Sequence, residues 1–351
     1  MSDTALKPAE RLTGLTLEGG WKVTTRQNRG PSSTGGCFSI GYFVEHESGR
    51  KAFLKALDFS RALTSPDPAR AIQSLTESYN FERDVLRLCR DKRLDRVATA
   101  IAEGTVRIPG SGDAGAVPYL IFELADGDVR SQIDFSKRFD IALRLRALHH
   151  ISTGLWQLHK QTIAHQDLKP SNVLVFNNDE SRITDLGRAA VQGKTPPHDN
   201  CIVPGDPSYA PPELMYNHTS DSWFIRRQGC DLYHLGSMIV FFFAGTAMTP
   251  ELLKEIPTSH HPWNWTGTYP EVLPVVRKAF GDVIEQLKSA IEPEYREVLT
   301  DLIIQLCDPD LGRRGYPKAR GNSAMQYSLE RYVSKFDLIA TKAEFSFRKK
   351  V

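Results

Sequence analysis

His165-Gln166-Asp167-Leu168-Lys169-Pro170-Ser171-Asn172 packs six polar side chains into eight residues, directly before the apolar triplet Val173-Leu174-Val175. Upstream, Leu145, Leu148, Ser152, Leu155 and Leu158 recur at helical spacing. The stretch is therefore a polar loop between a helix and a strand-like run, the kind of place where a rigid scaffold presents reactive groups. Thirteen residues after Asn172 comes a second short polar signal, Asp185-Leu186-Gly187, preceded by the apolar Ile183.

Further out, the pattern divides the chain. Residues 38 to 57 read as two apolar runs joined by the turn Glu47-Ser48-Gly49-Arg50, which predicts an antiparallel hairpin. A polar loop through Thr64-Ser65-Pro66-Asp67-Pro68 follows, then a surface helix from about Ala71 to Arg90 on Leu75, Tyr79, Val85, Leu86 and Cys89. Pro118 to Leu124 reads as a strand, broken by the turn-forming Ala125-Asp126-Gly127-Asp128, where the boundary between two lobes is placed. Beyond it the chain to about Leu306 is mainly helical. Leu329, Tyr332, Val333, Phe336, Ile339, Ala340 and Ala343 then predict a last amphipathic helix docked on its own domain.

Composition narrows the function classes. The 351 residues carry 44 basic and 42 acidic side chains, net +2, so no global positive field favours nucleic acid or anionic lipid. The longest apolar stretch, Met238 to Ala244, is far short of the roughly 20 residues of a membrane-spanning helix and reads as a buried helix. The amino end lacks the basic start and apolar run of a secretory signal, so a cytoplasmic location is expected. Five cysteines (Cys37, Cys89, Cys201, Cys230 and Cys307), spread without a CxxC pair, predict reduced thiols rather than disulfides or a zinc site.

Two upstream and one downstream segment complete a pattern: Ala52-Phe53-Leu54-Lys55, Phe81-Glu82-Arg83-Asp84-Val85-Leu86, and Gly205-Asp206-Pro207-Ser208-Tyr209-Ala210-Pro211-Pro212-Glu213. In this order the segments resemble the protein kinase family, with its V-A-I-K lysine, helix glutamate, H-R-D-L-x-x-x-N loop, D-F-G and A-P-E. The resemblance covers roughly residues 30 to 315. It implies an α+β, bilobal protein-kinase-like fold, with a small five-stranded antiparallel sheet plus helix, a larger mainly helical lobe, and ATP in the cleft between. The implied division is 1–20 an N-terminal arm (flexible, or an added strand), 21–124 the nucleotide-binding lobe, 125–317 the catalytic and substrate lobe, and 318–351 a C-terminal tail helix.

Roles follow from the resemblance and suit the residue types. Asp167 is expected to accept the proton of the acceptor hydroxyl, and Lys169 to offer a mobile positive charge to the transferring phosphate. Asn172 and Asp185 are expected to bind Mg2+, a hard cation that prefers oxygen donors. Lys55 is expected to hold the inner phosphates of ATP, kept in place by Glu82. His165 is implied to be a packed structural residue. Asp231 is implied to tie down the catalytic loop, and Arg314, or its neighbour Arg313, to pair with Glu213.

Three departures stand out. Ser33 to Ile40 lies over the glycine-rich loop, leaving Gly35 and an extra Gly36 for the phosphates; Ile40, Glu123 and Ala125 are then the implied adenine neighbours, and the bulky Phe53 replaces the small alanine above the base. Gln166 replaces the arginine of H-R-D, and a neutral amide cannot pair with a phosphate on the activation segment as a guanidinium does. Activity is therefore expected not to depend on phosphorylation at Thr195, Ser208 or elsewhere in that segment. Asp206 stands where threonine is usual, and an ionised carboxylate donates no hydrogen bond. It is expected to pair with Lys169 and raise the pKa of Asp167 by like-charge repulsion, or else to point to solvent.

The implied activity is ATP- and Mg2+-dependent transfer of phosphate to Ser/Thr hydroxyls of a protein substrate, with no nucleic-acid or membrane partner. A pseudokinase that binds nucleotide or a partner without turnover, and a small-molecule phosphotransferase, remain the alternatives.

Overall fold

The structure is a computed structural model that describes residues 7–28, 38–111, 115–132, 141–176 and 179–348. The chain divides into two compact units, Met1–Asp126 and Gly127–Val351.

The first unit is built on one antiparallel sheet: β1 (Thr16–Leu17), β2 (Trp21–Arg26), β3 (Ser39–His46), β4 (Lys51–Leu57), β5 (Ala100–Arg107) and β6 (Ala116–Glu123), in the order β1-β2-β3-β4-β6-β5. The hairpin read around Glu47 to Arg50 is β3–β4. The period-2 pattern of β4 sorts its side chains by face: Ala52, Leu54 and Ala56 are buried, whereas Phe53 and Lys55 point the other way and are half-buried. The buried face joins Val23, Tyr42, Val44, Tyr119 and Ile121 with Ala9, Leu12 and Leu17 from the amino-terminal segment. That segment is fixed by Tyr42, whose hydroxyl donates to the Ala9 carbonyl over 2.8 Å. Full burial of Leu12 and Leu17 contributes about 1.5–3 kcal/mol each. The five strands implied by the resemblance thus become six, because the segment before residue 21 adds β1.

Two helices follow β4: α1 (Ser60–Leu63) and α2 (Pro68–Asp91). The sequence placed Pro68 in a loop, but it opens α2. Asp67 caps the helix by accepting from the Arg70 N–H, and a proline in the first turn has no N–H to waste. Glu82, Val85, Leu86 and Cys89 form the buried stripe of α2.

The second unit begins with β7 (Gly127–Asp128), α3 (Val129–Gln132) and α4 (Ile141–Lys160), then β8 (Ile163–Ala164), β9 (Val173–Phe176), β10 (Glu180–Ile183) and β11 (Ala190–Val191). Gly127 and Asp128, read from the sequence as a turn, pair with Val175 and Leu174 as a strand of the β10-β9-β7 sheet. The helical remainder comprises α5 (Pro212–Met215), a π turn at Phe224–Gln228, α6 (Gly229–Ala244), α7 (Met248–Glu255), α8 (Tyr269–Leu287), α9 (Pro293–Cys307), α10 (Ser323–Gln326) and α11 (Glu330–Arg348). α6 is apolar nearly throughout and buried from Gly229 to Phe243, so the stretch read as a core helix is one. Among the described residues no single helix is long and apolar enough to cross a membrane.

α11 buries Tyr332, Phe336, Ile339, Ala340 and Ala343. Arg146 of α4 fastens it, donating from Nε and Nη2 to the two Glu344 carboxylate oxygens over 2.7 and 3.0 Å and from Nη1 to Asp337 over 2.8 Å. Cys89, Cys201, Cys230 and Cys307 are free thiols; Cys37 lies outside the described residues.

Candidate active site

In the first unit, β4 and α2 bring Lys55 and Glu82 together, Nζ to Oε1 at 2.8 Å. Glu82 belongs to the buried stripe of α2, which aims its carboxylate at the sheet. The strand register decides which neighbours share the face of Lys55. Gly41 lies opposite Lys55 and Phe43 opposite Phe53, while Ile40 lies opposite Ala56 on the other face and packs on the hydrophobic core. Ile40 is therefore on the wrong side of the sheet to accompany Lys55. A glycine-rich loop laid over Ser33 to Ile40 is one residue out of phase with this register, and in a strand one residue reverses the face.

The same register accounts for Phe53. A Cβ on Gly41 would stand 2.8 Å from Phe53 Cζ and 2.5 Å from Gln27 Oε1, so the absent side chain of residue 41 makes room for the ring of residue 53. Glu123 ends β6, and Ala125 lies between it and the start of the second unit. Gly35 and Gly36 lie outside the described residues.

In the second unit, the loop after β8 carries Asp167, Lys169 and Asn172. Asp231 of α6 shapes that loop: Oδ2 accepts from the His165 N–H and Oδ1 from the Gln166 N–H, each over 2.8 Å, and His159 Nε2 donates to Oδ2 over 2.8 Å. Burial works to raise the Asp231 pKa, but the bond from His159 and the nearby imidazole charges outweigh it and hold the carboxyl below its ordinary range. Gln166 takes a left-handed backbone at φ 68°, and its side-chain nitrogen donates to Asp231 as well. His165 donates from Nε2 to the Thr184 carbonyl over 2.9 Å, stitching this loop to the one carrying Asp185. Thr184 answers with its N–H to the Asn172 carbonyl over 2.9 Å.

Asp167 is 7% exposed and has donors on both oxygens. Oδ1 accepts from the Asp206 N–H over 2.8 Å, while Oδ2 lies 3.2 Å from Lys169 Nζ and 3.2 Å from Asn172 Nδ2. Burial raises its pKa above the ordinary carboxylate value; Lys169 and the Asp206 N–H oppose this, and the charge of Asp185 adds to it. Gly205 permits the close approach, since a Cβ there would meet Asp167 Oδ1 at 2.5 Å and the Gln166 carbonyl at 2.7 Å.

Asp206 does pair with Lys169, Oδ2 to Nζ at 3.5 Å, and its other oxygen accepts from the Ser208 N–H and hydroxyl. On Asp167, Asp206 acts first through its main-chain donor, which lowers the pKa, and the charge of Asp185 acts to raise it.

The donor set near Asp167 fits a hard divalent cation. Asp185, at φ 63°, begins the short turn Leu186–Arg188. Asn172 commits its amide nitrogen to Asp167, to the carbonyl over 2.8 Å and to Oδ2 over 3.2 Å, which leaves the amide oxygen as its acceptor end. One carboxylate and one amide oxygen suit Mg2+, which keeps water and phosphate in its other positions. No group of three or more His, Cys, Asp or Glu is placed to hold a metal among the described residues.

Glu213 of α5 is buried against Arg314, with paired bonds of 2.7 Å from Nη1 and Nη2, and Arg314 also donates from Nε to the Asp308 carbonyl over 3.0 Å. Of the two arginines considered from sequence, Arg314 is the partner of Glu213. Sequence reasoning missed Arg227, which bonds Gln166, and Asp199, which bonds Arg227; neither carries a motif.

Comparison with known proteins agrees with this architecture. The family model described as protein kinase domain matches residues 68–318, and the chain belongs to that family. The matched stretch takes in Glu82 and every named residue of the second-unit site, and begins after Lys55. The chain is 30% identical over 181 residues to serine/threonine-protein kinase Nek3 of Mus musculus, covering 47% of this chain and 35% of the relative. It is 29% identical over 169 residues to mitogen-activated protein kinase 5 of Arabidopsis thaliana (46% and 43%) and 28% identical over 221 residues to a dual serine/threonine and tyrosine protein kinase of Strongylocentrotus purpuratus (61% and 21%). The chain spans less than half the length of each of these relatives.

Proposed function

We propose that the protein transfers the terminal phosphate of ATP to Ser/Thr hydroxyls of a protein substrate. The observation that carries this reading is the buried Asp167, held by the Asp206 N–H, Lys169 and Asn172, with the charge of Asp185 nearby. Bound Mg-ATP supplies the phosphoryl group and the charge neutralisation that phosphoryl transfer requires. Asn172 and Asp185 would hold the metal, and Lys55, steadied by Glu82, the inner phosphates.

Asp167 orients the acceptor hydroxyl and takes its proton at Oδ2, whose contacts are longer than the bond on Oδ1. Its raised pKa makes it a stronger base than an exposed aspartate. Lys169, between Asp167 and Asp206, can follow the charge as it moves to the transferring group. The base contacts of ATP on the first unit are proposed at Gly41, Phe53, Glu123 and Ala125, with Gly35 and Gly36 near the phosphates. A cytoplasmic location belongs to the same proposal.

Activity is proposed to be independent of activation-segment phosphorylation, because the Gln166 amide is neutral and already bonded to Arg227 and Asp231. Labelled transfer from Mg-ATP to a protein panel, with mass spectrometry of the product, tests the proposal. Phosphoserine or phosphothreonine, formed equally by phosphatase-treated enzyme, is the expected result. Turnover only with small alcohols, nucleotide binding without turnover, or activity lost to phosphatase and regained on re-phosphorylation would contradict it.

A further inference from the structure

One buried guanidinium joins the catalytic loop to a stretch of chain that carries no recognised motif. The Arg227 side chain, in the π turn before α6, is 6% exposed. Its Nη1 donates to Gln166 Oε1 over 3.3 Å, and its carbonyl accepts from Gln166 Nε2 over 2.8 Å. Its Nη2 donates to Asp199 Oδ1. Arg226 adds a second hold on the same residue, donating to the Asp199 carbonyl over 3.1 Å and lying 3.5 Å from Oδ1.

Asp199 sits midway along the segment from β11 to α5. His198 beside it donates from Nε2 to the Arg188 carbonyl over 2.8 Å, and the Asp199 N–H donates to the Pro196 carbonyl over 3.0 Å. Six and seven residues on, the segment presses Gly205 against Asp167 and gives Asp167 the Asp206 N–H. A carboxylate facing two arginines, one of them buried, makes charge-assisted bonds stronger than neutral ones. Removing that carboxylate leaves a buried cation short of its partner.

We infer that Asp199 is a positioning residue: bridged to Gln166 through Arg227, its carboxylate holds the segment so that the Asp206 N–H stays on Asp167. The effect on transfer rests on the proposed function, whereas the tether itself does not.

Hydrogen exchange and transfer kinetics on the full chain, for wild type, Asp199→Asn, Asp199→Glu and Arg226→Gln, test the inference. In Asp199→Asn, the amides between His198 and Asp206 are expected to exchange at least about tenfold faster, with α6 unchanged. kcat is expected to fall about tenfold or more while KM for ATP stays within about twofold, as misplacement of a catalytic group predicts. Asp199→Glu should restore most of both, and Arg226→Gln should move both in the same direction to a smaller extent. Exchange unchanged in Asp199→Asn, or equal loss in the Glu and Asn variants, would overturn the inference. Accelerated exchange in a protein that transfers no phosphate would overturn the proposed function and leave the tether standing.

Discussion

Asp206 turns its backbone N–H, not its carboxylate, onto Asp167, with 2.8 Å from N to Oδ1. The carboxylate instead bonds Ser208 and reaches Lys169 at 3.5 Å. An aspartate where the family usually has threonine is thus absorbed locally, since the bond to Asp167 comes from the main chain of residue 206. Carboxyl-carbon NMR titration of Asp167 checks the division of roles. Asp185→Asn should lower its midpoint and Asp206→Asn should leave it in place; the reverse pattern would show that Asp206 is the charge that matters.

A second prediction concerns stability. The folded state raises the Asp167 pKa, so ionised Asp167 is a cost carried by the fold. Below the ordinary carboxylate value the group is neutral in both states and the cost vanishes; it appears as pH rises through the folded midpoint. Asp167→Asn should therefore melt higher than wild type at pH 7, with the difference closing at acid pH. Calorimetry across that range is the measurement, and a variant that melts lower at pH 7 would count against the burial argument.

His234, buried on α6, has its pKa pushed down to about 4, mainly by burial. The unfolded chain takes up this proton near the ordinary histidine value and the folded chain resists it. Stability should fall as pH drops from about 6.5 towards 4, by up to roughly 3 kcal/mol from this residue. Denaturant unfolding of His234→Gln should show a correspondingly flatter pH dependence. Parallel profiles for variant and wild type would place the titration elsewhere.

Gly41 and Phe53 should behave as a coupled pair. Gly41→Val forces a branched side chain into the space of the Phe53 ring and should destabilise by about 1–3 kcal/mol, as overpacking does. Phe53→Ala removes one of the two obstacles, the other being the movable end of Gln27, so the double variant should be more stable than the sum of the single effects. Additive changes in a double-mutant cycle would mean that the ring and the glycine are independent.

What the sequence made legible was local. The loop from His165 to Asn172 and the stripe of α2 holding Glu82 each lie within a few residues, where motif and periodicity carry the information. Ile40 was misplaced because a one-residue slip reverses the face of a strand, and a sequence run rich in glycine and serine carries no alternation to fix the register. The added strand at Thr16 was only one of two readings, since two residues are too few to show alternation. The Asp199–Arg227 bond was beyond reach for a different reason: it joins a turn to a π turn, and neither residue belongs to a periodic face.

Whether Asp167 serves as the base for phosphate transfer is read from the single-turnover rate of labelled phosphate transfer from saturating Mg-ATP, compared between wild type and Asp167→Asn. A base at Asp167 requires transfer to Ser/Thr by the wild type and a loss of about a hundredfold or more in the variant, with ATP affinity retained. A variant that transfers within about twofold of the wild-type rate would contradict it.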